Sequence, residues 1–66
     1  MNLNTKEKNQ IVDQLIKQLE AKMYSLEVQA KVKRKVDQTK EAERLESQMT
    51  ELQKEIDEYN NQKSKG

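Results

Sequence analysis

Apolar residues recur along this chain in two heptad series that do not share a register. Val12, Ile16, Leu19, Met23, Leu26 and Ala30 follow one another at alternating steps of four and three, the spacing that keeps side chains on one face of an α-helix. Ile11 and Leu15 widen the amino-terminal part of this series. Ala42, Leu45, Met49, Leu52, Ile56 and Tyr59 form the second series by the same rule. Continuing the first would place Lys33 and Asp37 in the seam. The interval from Ala30 to Ala42 is neither a whole number of heptads nor a single stutter, so the chain changes phase or direction there.

The pattern predicts an all-α fold, an antiparallel helical hairpin with helices at about 5–35 and 40–61, assembled into a larger bundle. The reversal falls around Val36 to Lys40, where Asp37, Gln38 and Thr39 are the only cluster with turn or cap character. An equal-height pairing then sets Ile16 with Tyr59, Leu19 with Ile56, Met23 with Leu52, Leu26 with Met49 and Ala30 with Leu45. The alternative is one continuous helix, roughly 80–85 Å long, forming a coiled coil with other chains. It draws on the absence of proline and on a single glycine at Gly66, because helix-to-helix turns commonly use glycine at the carboxyl cap.

Local signals agree with helix throughout. Asn4 followed three residues later by Glu7 is an amino-terminal cap pattern, so the first helix is expected to begin near Thr5. The i,i+4 pairs Asp13–Lys17, Glu27–Lys31 and Lys54–Glu58 support either architecture. Val28 to Lys33 alternates apolar and polar residues with a period of two, but no turn signals bound it and helical patterns abut both sides. Residues 1–66 are read as one small domain, with 1–4 and 62–66 frayed.

A third apolar stripe changes the picture. Tyr24, Val28, Val32 and Val36 recur at steps of four, and at 100° per residue Val28 and Val32 lie about 160° from Ala30. A two-helix hairpin covers only one of these faces. Burying all four side chains in a second interface represents about 6–10 kcal/mol of gross hydrophobic free energy before association costs. The stripe is therefore the expected partner interface, for another protein or a second copy of the chain.

Composition reinforces the need for a partner. The chain has 66 residues, of which 32% are hydrophobic and 38% charged, and no cysteine or histidine is present to supply a disulfide or a structural zinc site. A core this small ordinarily needs association. No apolar run is long enough to cross a bilayer, and no signal peptide is evident, so no membrane partner and a cytoplasmic location are expected.

The net charge of +1 makes no overall case for nucleic acid. Charge is unevenly spread, however. Residues 1–36 hold eight Lys or Arg against four Asp or Glu, and residues 37–66 hold five against eight, so the two halves attract when laid side by side. The basic patch Lys31, Lys33, Arg34 and Lys35 could contact phosphates, and a small dimeric nucleic-acid-binding regulator is the alternative functional reading. No aromatic residues are interleaved for base stacking, and the bland reading is that these cations complement the negative end of the first helix dipole.

Candidate chemistry is sparse. Without histidine or cysteine there is no Ser–His, Cys–His or thiolate nucleophile, and one terminal glycine leaves no phosphate-cradling loop. Glu51, Glu55 and Glu58 share a helical face that could meet a cation, with a solvated face beside Lys54 as the simpler reading. Ser47-Gln48-Met49-Thr50-Glu51 is similar in outline to the Ser-Gln-x-x-Asp signature of small helical-hairpin sporulation phosphatases. It carries Glu in place of Asp and lacks the apolar pair that follows in that family, and no family is assigned on it. The expectation is a non-enzymatic protein–protein interaction module, such as an adaptor, co-chaperone, assembly factor or inhibitor, with no catalytic residues, no cofactor or metal and no small-molecule ligand.

Overall fold

The computed structural model describes residues 3–63 and is an antiparallel hairpin of two helices, α1 (Thr5–Lys35) and α2 (Thr39–Gln62). It is a rod with principal extents of 51 × 17 × 15 Å. The single continuous helix is excluded by the reversal between Lys35 and Thr39. Both helix spans follow the sequence expectation to within one residue at each end.

α1 starts where the cap pattern places it. The Asn4 side-chain oxygen accepts a hydrogen bond from the Glu7 amide at 2.8 Å, satisfying one of the amide groups that a first helical turn leaves unpaired. Asn4 is therefore ordered as a cap. The frayed ends expected at 1–4 and 62–66 fall partly outside the described residues. Within them, Gln62 ends α2 and Lys63 pairs with Asp13 of α1 across the open end of the hairpin.

The turn is built without glycine. Asp37 adopts φ 61°, the left-handed conformation that terminates helices. The Gln38 amide donates to the Lys33 carbonyl at 2.8 Å, and the Asp37 amide donates to the Arg34 carbonyl at 3.3 Å. These two bonds are those of a Schellman motif, with Asp where glycine is usual. Asp tolerates this conformation better than most residues because its short polar side chain bonds locally, yet it still carries a Cβ penalty. At the start of α2, Gln38 makes no side-chain cap bond.

Both apolar series turn inward. Ile16, Leu26, Ala30, Ala42, Leu52 and Ile56 are buried, and Val12, Leu19, Met23, Leu45, Met49 and Tyr59 are half-buried. Leu26 borders Leu52 in one crevice between the helices, and Met23 borders Met49 and Ile56 in another, whereas the equal-height pairing sets Leu26 with Met49 and Met23 with Leu52. Ala42 is 0% exposed and Ala30 4%. With a methyl group on each helix next to the turn, the backbones approach closely where the chain reverses. One expectation fails here: Leu15 is half-buried, but Ile11 is 46% exposed, because it sits at the edge of the seam.

Candidate interaction face

Around the seam, the charge imbalance between the two halves becomes cross-helix ion pairs. Lys33 reaches Glu41 at 3.1 Å, and Arg34 grips Glu46 with two bonds, Nε to Oε2 at 3.2 Å and Nη2 to Oε1 at 2.6 Å. Such a two-pronged guanidinium–carboxylate contact fixes orientation as well as attraction. The hydrogen bond from Arg34, with its positive charge, holds the Glu46 carboxyl below its ordinary value; reciprocally, Glu46 holds the Arg34 guanidinium above its own. Of the i,i+4 pairs expected from sequence, Glu27–Lys31 forms at 3.4 Å. Asp13 instead pairs with Lys63, and Lys54 turns back to Glu51 at 3.6 Å, because a cross-helix partner or the preceding turn lies nearer.

These pairs consume most of the basic patch. Lys31 is matched with Glu27, Lys33 with Glu41 and Arg34 with Glu46, leaving Lys35 without an ion-pair partner among the described residues. Lys33, Arg34 and Lys35 also lie in the last turn of α1, where cations complement the helix dipole. Its geometry is that of a brace across the turn.

The third stripe lies on the outside. Tyr24 is 68% exposed, Val28 43%, Val32 53% and Val36 57%. The first three lie on α1 and Val36 is its carboxyl cap; Val28 and Val32 face away from the seam, while Tyr24 stands at the edge, bordering a crevice with Met49, Gln53 and Ile56 of α2. On one flank are Glu27, Lys31 and Lys35. On the other, Gln29 donates to the Ser25 hydroxyl at 3.0 Å, one turn apart, and the next residue of that row, Lys33, is paired with Glu41.

The outward face of α2 differs completely. Glu43, Ser47, Thr50, Lys54 and Glu58 line it, all exposed, and every large exposed hydrophobic residue among those described belongs to α1 or its cap. Ser47, Gln48 and Glu51 are likewise exposed, with Glu51 drawn to Lys54. Glu51, Glu55 and Glu58 border a surface depression with Lys54, Tyr59 and Gln62, but among the described residues no three acidic groups converge to hold a metal ion. No polar or charged side chain is buried among them either.

Sequence reasoning placed the stripe but missed the braces. Their signal was the opposite charge of the two halves, which predicts attraction without saying which residues meet. No helix among the described residues is long and apolar enough to cross a membrane. In comparisons with known proteins, no family model, curated protein or solved structure matches this chain.

Proposed function

We propose that this protein is a non-enzymatic interaction module that docks a protein partner on the outward face of α1, through Tyr24, Val28, Val32 and Val36. The observation that carries this reading is the contrast between the two outward faces: apolar over the carboxyl-terminal turns of α1, wholly polar on α2. A helix with apolar residues on two sides is normally covered on two sides, and α2 covers only one. The braces of Lys33 and Arg34 to α2 support the same assignment, since they leave the stripe's surroundings largely charge-balanced. A cytoplasmic location belongs to the same proposal and is checked by cell fractionation.

Site-specific photo-cross-linking tests the reading. A photoreactive phenylalanine analogue is placed in turn at Tyr24, Val28 and Val32, and at Ser47, Thr50 and Lys54 as controls. Protein adducts concentrated at the first three positions are expected. Equal yields from both sets, or none from either, contradict the proposal. The competing nucleic-acid reading predicts binding that falls steeply with salt. With three of the four cations of the basic patch already paired, the proposal predicts no such salt-dependent binding to RNA or DNA in a filter assay.

A further inference from the structure

Resting on the reading of the stripe as an interface, the geometry points to its occupant: a second copy of this chain, its α1 antiparallel to the first and overlapping it only over residues 24–36. Three independent features of the stripe match a two-fold pairing centred at residue 30.

The first is where the stripe stops. Its members are symmetric about residue 30, and its carboxyl-terminal limit is Val36, the cap that ends α1. In an isologous antiparallel pair each residue faces one equally far beyond the centre, so the end of one helix sets the limit of contact on the other. α1 ending at 36 therefore requires contact to cease at 24, and that is where the stripe begins. Farther back on the same face, within about 40° of the Val28–Val32 line at 100° per residue, stand the exposed polar Gln10, Gln14 and Lys17, with the exposed Ala21 offering only a methyl group. A partner helix running the length of α1 would need apolar residues there. A second copy leaves them in water.

The second is the match of side chains. Centring at residue 30 sets Val28 against the second copy's Val32, and Tyr24 against its Val36. The four stripe residues lie on a single i+4 row, the kind of ridge by which two helices most often interdigitate, at a crossing near −50°. A crossed contact is short by nature, as this stripe is.

The third is charge. Antiparallel pairing brings each flank against the same flank of the other copy. Glu27 then lies between the second copy's Lys31 and Lys35, and Lys35 gains the carboxylate it lacks within its own chain. The opposite flank is Ser25, Gln29 and Lys33, and the one charge on it is already paired with Glu41. Parallel pairing would instead set Lys31 and Lys35 against the second copy's Ser25 and Gln29, which offer no carboxylate.

The size of the contact sets its strength. Four side chains from each copy fall short of the roughly 800 Å² per partner of a standard stable interface, so the dimer is weak and concentration-dependent. Its shape is also specified: two 51 Å rods overlapping by thirteen residues span roughly 80 Å.

Sedimentation equilibrium of the full chain from about 10 μM to about 1 mM covers the range in which so small an interface associates. Monomer–dimer exchange is expected, with a maximum dimension near 80 Å by small-angle scattering. Val28→Asp is expected to remain monomeric with unchanged helical circular dichroism. Glu27→Lys and Lys35→Glu are each expected to weaken self-association about tenfold by placing like charges together. Mixing those two variants restores opposite charges at both sites, and a heterodimer at least as tight as the wild-type dimer is the expected result. A chain that stays monomeric throughout overturns self-pairing. So does a dimer near 55 Å long, or one indifferent to both charge variants. If the chain is monomeric while cross-links to other proteins persist at Tyr24, Val28 and Val32, self-pairing alone has failed; if those cross-links are also absent, the interface reading has failed with it.

Discussion

Turned away from the seam, α2 presents Glu43, Ser47, Thr50, Lys54 and Glu58, whereas α1 presents Val28 and Val32, with Tyr24 exposed at the edge. Both helices contribute equally to the core, with three buried residues each. They differ only in what lies behind it. α2 is patterned as a helix with one neighbour, and α1, over its last three turns, as a helix with two. In a hairpin of two helices, one neighbour is all the fold supplies. The difference therefore separates side chains selected by folding from side chains that folding leaves uncovered.

The sharpest way to break this comparison is to truncate one residue from each face and measure stability in dilute solution. Leu52→Ala or Leu26→Ala removes a buried side chain with limited scope for collapse, at a cost of about 2–4 kcal/mol. That is a large share of the stability such a small core can hold, so urea unfolding followed by circular dichroism is expected to show partial or complete loss of the hairpin. Val28→Ala and Val32→Ala, from the outward face, are expected to shift the same curve by only about 0.5 kcal/mol. Comparable losses from both faces would erase the distinction.

The close approach at the turn is tested by Ala42→Leu. Ala42, beside the turn, has no exposed surface, so added methylenes force the helices apart at about 1–3 kcal/mol. The same substitution at Ala21, exposed on the outward face of α1, is expected to leave stability nearly unchanged.

A smaller effect of opposite sign is expected at Asp37. Glycine adopts φ 61° without the Cβ penalty, so Asp37→Gly should raise stability by about 1 kcal/mol. A loss of stability would show that the Asp37 side chain contributes more to the turn than its backbone conformation costs.

The smallest effect concerns the Arg34–Glu46 brace, whose partners are both solvent-exposed. Because pairing lowers the Glu46 value in the folded chain, its contribution is present above the unfolded carboxylate value and is lost as pH falls through the lower folded one. Arg34, raised by the same contact, would lose its contribution only in strong alkali. Glu46→Gln is thus expected to melt slightly below wild type at neutral pH, with the gap closing in acid. A gap that persists unchanged at low pH would mean that charge is not its source.

Much of this architecture was legible in the amino-acid order, for identifiable reasons. Heptad spacing is a property of consecutive residues, so both halves of the seam and the bounds of α1 could be read directly, and Asn4 marked its own helix start. The turn was visible only as a break between two registers, since Asp37 occupies a position that glycine would have advertised. The braces were not legible. Whether Arg34 meets Glu46 or Glu43 depends on how each helix is rotated about its axis, which the packing of Ala30, Ala42 and their neighbours decides. For the same reason Ile11, counted with the seam by spacing, lies at its edge in water. The outward stripe could be placed by angle alone, but its pairing register about residue 30 became visible only once α1 was seen to end at its cap, Val36.

The central claim is that the inward face of α1 is used within the chain and its outward face between chains. Methyl chemical shifts recorded at increasing protein concentration, from about 10 μM to about 1 mM, test it most directly, because a weak interface populates over that range. The account predicts that Val28, Val32 and Val36 move progressively with concentration while Ile16, Leu52 and Ile56 stay fixed. Movement at Ile16, Leu52 and Ile56 instead, or no movement at the three valines, would contradict it.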